Sequence, residues 1–394
     1  MPKTVILSAA RTPFGKLGGS LASLDATDLG AVAIRAALER AQVAPDQVDH
    51  VVMGQVIQAG QGQIPSRQSQ IKAGIPKEVS SETINKVCAS SIRAVGMIDQ
   101  AIRAGDVTVG VAGGQESMSN GPYLLPGARF GFRLGDVTAL DATQHDGLTN
   151  PFSHKAMFVE ATEVGDQLEL TRPELDQWAL RSHTRAFAAI DAGKFAEEIA
   201  PVTISSRKGD TVVDQDEAPR RDTTLERLAA LPGLVGREAS HTAGNAPGIN
   251  DGASALVLAS EEWAGEHSAP VLATILGQAQ AADDFPMLAR TPALASRKLL
   301  DKLGLSVEEI DLWEINEAFA SVAINTVRML GIDPERVNVN GGAVALGHPI
   351  GASGGRIIGT LTLELQRRGG GLGIATLCSG GGQGDAILIQ VPGR

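Results

Sequence analysis

CASSIRAVGM (residues 88–97) and GASGGRIIGT (351–360) share Ala, Ser, Arg and Gly in register, 263 positions apart. A second pair, APDQVDHVVMG (44–54) and SVEEIDLWEIN (306–316), repeats at an offset of 262. Two matches at nearly one spacing point to an internal duplication. The surroundings agree. TDLGAVAIRAALERAQV has helical spacing and leads into the buried-strand run VDHVVMGQV, and TPALASRKLLDKLGLSVEEIDLWEINEAF repeats helix then strand. Each half therefore reads as a βαβ-rich α/β unit with a largely parallel or mixed sheet.

Residues from about 120 to 245 break this pattern. NGPYLLPGARFGFRLGD and SSRKGDTVVDQDEAPRRDTTLERLAALPGLVG carry turn residues and charge, with helices such as 173–191 between them. This stretch reads as an insertion that forms ligand-contacting loops or subunit contacts. TAGNAPGINDGASALVLAS (242–260) returns to a buried strand and closes the first unit. The expected division is 1–120 completed by 245–268, an inserted domain over 121–244, and a second unit over 269–394.

A net charge of −11 argues against a nucleic-acid partner, which requires a basic face. It leaves room for an anionic ligand met by a local arginine cluster. No segment reaches the roughly 18–20 apolar residues of a membrane span. The opening MPKTVILSAARTPFG has the wrong flanks for a signal peptide. The expected location is the cytoplasm, where two cysteines as distant as Cys88 and Cys378 read as free thiols.

Cys88 follows the strand-like SSETINKV and opens a helix with Ile92, Val95, Ile98 and Ile102 on one face. A helix N-terminus favours thiolate over thiol, although a small residue chosen for packing fits the same place. Cys378 lies between a buried strand and the turn GGGQG, which lacks the following helix of a dinucleotide site. His348 stands in the glycine-rich AVALGHPIGASGGR (343–356), which lacks the GK[ST] of a phosphate loop. Asn316 ends a buried strand, where a turn-forming asparagine is the plain alternative. No zinc spacing is present, and the other histidines receive no role. The duplication changes their weight. Cys88 and the His348 loop precede equivalent helices, and Asn316 ends the strand equivalent to the one ending at Gly54. Two halves packed about a pseudo-twofold axis would bring these ends together.

With that set, the chain resembles the thiolases. INKVCASSIRAV, GGQESMSNGPY, TAGNAPGINDGA, NEAFA, GGAVALGHPIGASG and CSGGGQG occur in the family's order from SAARTPFG to the C-terminus. Within the family the chain looks most like the bacterial acetyl-CoA C-acetyltransferase branch. The resemblance implies a five-layer αβαβα core from two duplicated domains, a loop domain over the coenzyme A site, and a homodimer or homotetramer. It also implies reversible condensation of two acetyl-CoA to acetoacetyl-CoA and CoA, with no metal or organic cofactor. The family rival is a degradative 3-ketoacyl-CoA thiolase with a longer acyl tunnel. A non-catalytic thiolase-fold lipid-binding protein would be expected to lack one of the four reactive groups.

By the same resemblance, Cys88 carries the acetyl group as a thioester, His348 activates it, and Cys378 moves the proton of the second substrate. Asn316 positions a water at one oxyanion site, and the N–H groups of Cys88 and Gly380 form the other. Glycines in the His348 loop are expected to let it run close to Cys88 and the thioester. Leu148, Met157 and Phe319 match the acyl and pantetheine pocket, Ala243 and Ala318 match further coenzyme A contacts, and Arg220 matches a position near the adenine. Arg207, Lys208 and Arg221 are charged neighbours able to meet phosphates. Three departures stand out. Pro247 replaces a serine that contacts pantetheine, Ser379 replaces an aliphatic residue and is expected to make the pocket wall more polar, and Ser91 replaces a glycine.

Overall fold

The computed structural model describes residues 2–207 and 209–393. The first half runs β1 (Thr4–Arg11), α1 (Ala26–Ala41), β2 (His50–Gly54), α2 (Pro65–Lys72), β3 (Ser80–Ile84), α3 (Ser90–Ala104) and β4 (Val109–Ser117). Helices α4 (Met157–Gln167) and α5 (Arg172–Asp191) belong to the segment that follows. Strand β5 (Asn250–Ser260) then completes the half. The second half runs β6 (Ala273–Ala282), α6 (Thr291–Leu303), β7 (Leu312–Ile315), α7 (Ala320–Leu330), α8 (Ser353–Arg367), β8 (Gly371–Ser379) and β9 (Gln383–Val391).

The strand order is β7-β8-β9-β6-β1-β5-β4-β2-β3, with the short strand Gly15–Lys16 pairing to β5. This is one order read outward in both directions. β1-β5-β4-β2-β3 repeats as β6-β9-β8-β7, where Val337 bridges Trp313 in parallel at the place that β3 takes in the first half. Three antiparallel pairs, Thr4–Ile275, Val5–Thr274 and Ile6–Ala273, join the halves at β1 and β6. The segment between β4 and β5 corresponds to the tight turn at 380–382 in the second half.

Strand sequences explain the layering. TVILSAAR of β1 is buried along its whole length, so its apolar residues are continuous rather than alternating. Val51, Met53, Val109, Val111 and Val257 face α1 on one outer side. Trp313, Ile315, Ile374 and Leu388 face α6 and α7 on the other. Between the half-sheets α3 and α8 pack on each other, with Ile92, Val95, Ile98, Ile357 and Leu361 in one shared core. The result is five layers, αβαβα.

The two central helices approach closely. A Cβ on Gly354 would lie 2.4 Å from the Ile92 backbone nitrogen. The Gly355 N–H donates to Ser91 Oγ at 2.9 Å, so this departure from the family pattern clips α3 to α8. Gly354→Ala should therefore push the helices apart and cost about 1–3 kcal/mol by overpacking. Thermal unfolding measures this, and an unchanged midpoint would contradict the tight crossing.

The inserted segment is tied to β1 by a buried cation. Arg11 donates to Glu198 at 2.7 Å and to both Asp216 oxygens at 2.7 and 2.9 Å. The Asp216 carboxylate also accepts the Phe14 N–H, and Glu217 accepts those of Lys16 and Ser20. These bonds place the chain leading to Arg220 against the turn after β1. Among the described residues no helix is long and apolar enough to cross a membrane, and no cluster of metal-ligating side chains occurs.

Candidate active site

Cys88 sits in the turn between β3 and α3, one residue before the Ala89 N-cap. Val87 takes the left-handed conformation at φ 45°, which is strained for a β-branched side chain. The turn is held shut locally. Asn85 Oδ1 accepts the Val87 N–H at 2.9 Å, and Ser90 Oγ accepts the Lys86 N–H and donates to the Val87 carbonyl. The backbone N–H groups of Cys88 and Gly380 lie close enough to the Cys88 sulfur to favour its thiolate.

The expectation of a depressed Cys88 pKa does not hold. Burial pushes the thiol up to about 12, outweighing the two N–H groups. The helix end is too weak a field to offset removal from water. Burial drives the opposite change at His348, pushed down to about 3, with Arg356 adding to it. The resting pair is thus a neutral thiol and a neutral imidazole.

His348 is fixed from three sides. Its backbone N–H donates to Asn250 Oδ1 at 2.8 Å, and its ring Nδ1 lies 2.6 Å from Ser353 Oγ. Ser353 gives its hydroxyl hydrogen to the Pro349 carbonyl at 2.9 Å. With that hydrogen committed, Nδ1 carries the ring proton and Nε2 is left as the acceptor. Asn316, at the end of β7, places Nδ2 3.4 Å from His348 Nε2. Arg356, paired with Glu314 at 3.2 Å, reaches Asn316 Oδ1 at 3.5 Å.

Cys378, near the end of β8, is completely buried against Met157, Ala318 and Val322. Burial holds its thiol well above the ordinary range, and Cys88 is close enough to add to the effect.

A cavity of about 540 Å³ opens over Cys88 and His348. Leu148, Met157, Ala318 and Phe319 border it, as do Ala243, Pro247 and Arg220. Cys378 and Asn316 stand just behind its lining. The other charged neighbours do not join it. Arg207 is exposed in the hairpin 202–213, Arg221 pairs with Asp191 and lies over Phe187 at 4.3 Å, and Lys208 lies outside the described residues.

Two expectations are corrected here. Ser379 does not line the cavity; its side chain turns away and donates to the Lys86 carbonyl. Successive strand residues face opposite sides, so Cys378 and Ser379 cannot share one wall. The glycines of the His348 loop also serve protein contacts rather than access to a ligand. A Cβ on Gly347 would meet the Asn250 side chain at 2.8 Å, and one on Gly351 would meet Glu116 Oε2 at 2.6 Å. Close approach between the halves requires them.

Several site residues carried no warning in the sequence. Asn250, in GINDGA, opens the strand β5 and carries no sequence mark of its bond to His348. Ser353 stands in the sequence only as the repeat of Ser90, with nothing to mark it as the partner of the imidazole five residues before it. His183 lines the cavity and accepts the Arg220 backbone N–H on Nδ1 at 3.2 Å, with burial lowering its pKa to about 4. Glu116 is a buried carboxylate accepting the N–H groups of Val56, Ile57 and Gly351. Burial raises it to about 7.

Comparison with known proteins places these features in a family. Residues 4–262 match the model of the thiolase N-terminal domain and 269–391 that of the thiolase C-terminal domain. The chain is 48% identical over 395 residues to an acetyl-CoA acetyltransferase of Paracoccus denitrificans, covering 100% of both. The crystal structure of the Bacillus anthracis acetyl-CoA acetyltransferase superposes with a TM-score of 0.97 at 42% identity, covering 99% of each chain. Human mitochondrial 3-ketoacyl-CoA thiolase gives 0.96 at 40% identity, again over 99% of each.

Proposed function

This chain belongs to the thiolase family, and from that premise we propose that it condenses two acetyl-CoA to acetoacetyl-CoA and CoA, reversibly. The observation that carries the reading is the meeting of Cys88 and His348 under one cavity, with Cys378 packed behind Met157 and Ala318 of its lining.

The chemistry follows from the resting protonation. Cys88 attacks the thioester carbonyl of the first substrate as its proton passes to His348 Nε2, and His348 returns that proton to the departing CoA sulfur. The carbonyl oxygen of the acetyl-Cys88 intermediate lies toward the Cys88 and Gly380 N–H groups, which act as fixed donors. Cys378 passes its proton to His348 and, as thiolate, takes the α-proton of the second acetyl-CoA. Burial makes that thiolate a strong base, which suits a weakly acidic carbon. The resulting carbon nucleophile attacks acetyl-Cys88. Cys88 leaves as thiolate and recovers, through His348, the proton that Cys378 had released. While it holds that proton, His348 offers a donor for the thioester oxygen of the second substrate, together with a water positioned by Asn316. The thioesters supply the activation, so no further cofactor enters the scheme.

Coenzyme A lies along the cavity, with its adenine toward Arg220 and its pantetheine past Pro247, where no hydroxyl is offered. Leu148, Met157 and Phe319 confine the acyl end. Each methylene that fits gains about 0.8 kcal/mol of burial, and each that does not costs about 1–3 kcal/mol. The expected result is that kcat/KM falls at least about tenfold, roughly 1.4 kcal/mol, from acetoacetyl-CoA to 3-ketohexanoyl-CoA and longer substrates. Steady-state thiolysis across that series measures it. A flat or rising profile would assign the chain to the degradative class.

The protein is also proposed to work in the cytoplasm as a homodimer or homotetramer. The segment 123–137 carries Phe130 at 89% exposure and Leu134 at 100%, an apolar arm that a second copy would cover.

A further inference from the structure

The internal duplication relates residues that the reaction scheme leaves unused. In β2 and β4, His50 is opposite Gly110; in β7 and β8, Leu312 is opposite Gly373. This register makes Glu116 and Ser379 equivalent, each at the end of the strand before its half's turn or insertion. The offset of the quoted helix pair likewise makes Cys88 and Gly351 equivalent.

Each of the two strand-end residues reaches into the opposite half. Glu116 accepts the Gly351 N–H at 2.9 Å, three residues beyond His348, and joins it to Val56 and Ile57 at 3.0 Å each. Ser379 donates to the carbonyl of Lys86, two residues before Cys88. A second equivalent pair repeats the crossing. Ser254 lies opposite Gly114 and Asp385 opposite Leu377. Ser254 Oγ donates to the Ala352 carbonyl at 2.6 Å, while Asp385 accepts from the Lys86 ammonium. Neither Glu116 nor Ser379 borders the cavity.

We propose that Glu116 and Ser379 are positioning residues, forming a reciprocal clasp in which each strand end holds the opposite half's pre-helix turn. The clasp fixes the spacing between Cys88 and His348. It rests on the reading of these two as the reacting pair. The symmetry explains why the position equivalent to the nucleophile is glycine: the Glu116 carboxylate occupies the space where its side chain would stand. It also gives Ser379 a role. Its hydroxyl holds the Cys378–Gly380 segment against the turn of Cys88, keeping the Gly380 N–H on the sulfur.

The test uses the full chain carrying Glu116→Gln or Ser379→Ala. A glutamine amide replaces one acceptor oxygen with a donor, so three N–H groups can no longer all be accepted. We expect kcat for acetoacetyl-CoA cleavage to fall at least about tenfold in E116Q and about threefold in S379A. KM should stay within about twofold, because the cavity wall is untouched. In S379A the rate of Cys88 alkylation by iodoacetamide at pH 8 should also fall at least about threefold, as the Gly380 N–H loosens. This second measurement reads the turn whether or not the proposed reaction is correct, and it remains available if E116Q does not fold. Unchanged kcat and alkylation in folded variants, or KM rising in step with the loss of kcat, would overturn the clasp. An unsubstituted chain that neither acetylates Cys88 nor cleaves acetoacetyl-CoA would instead reject the function.

Discussion

Cys88→Ala is expected to lower acetoacetyl-CoA cleavage by at least about 10⁴-fold, some 5.5 kcal/mol of transition-state stabilisation. The size follows from covalent catalysis: without the sulfur there is no acetyl-enzyme, and one step replaces two easier ones. No other group is placed to substitute. Cys378 lies behind the lining of the cavity and is completely buried, and His348 is held by Ser353 and Asn250. Mass spectrometry of protein quenched after brief exposure to acetyl-CoA provides the companion measurement. The unsubstituted chain should gain one acetyl group on the peptide containing Cys88, and the variant none. An acetyl group on Cys378, with Cys88 unmodified, would reverse the assignment of the two thiols.

The second large effect is expected from Cys378→Ser. A serine hydroxyl is far less acidic than a thiol, so the group that takes the α-proton is lost while the shape of the site is nearly kept. Condensation should slow by about 10²–10⁴-fold, the range for a positioned acid or base. The first half-reaction should survive, because Cys88 and His348 alone carry it. Release of one CoA per site from acetyl-CoA, followed separately from condensation, tells these apart. Equal loss of both half-reactions in folded protein would show that the cysteines do not divide the labour.

The fold was legible because the duplication leaves chemical traces in short stretches. Small residues recur where the central helices pass close to their neighbours: Ala89, Ser90 and Gly96 find their repeats at Ala352, Ser353 and Gly359, with Gly96 against Gln278 and Gly359 against Ala9. The cavity residues were legible through resemblance, since Leu148, Met157, Phe319 and the others lie where the family motifs place them. Ser379 was misread because its neighbour's role was extended to it, although strand geometry turns the two apart. The thiolate at Cys88 was misread for a different reason. A helix end is visible in sequence, but the depth at which its first residues lie is not.

The sequence by itself therefore determined the two βαβ-rich halves and the long insertion between them, and through resemblance it named the groups proposed to carry acyl chemistry. These depend on local periodicity and on motifs a few residues long. Only the tertiary structure decided which of those groups are neutral at rest, and which backbone atoms hold them. Desolvation sets the protonation of Cys88 and His348, and desolvation is a property of everything packed around a group. The bonds from Glu116 to Gly351 and from Ser379 to Lys86 join residues more than two hundred positions apart. No local pattern encodes such contacts, because they arise only when the two halves close about their shared helices.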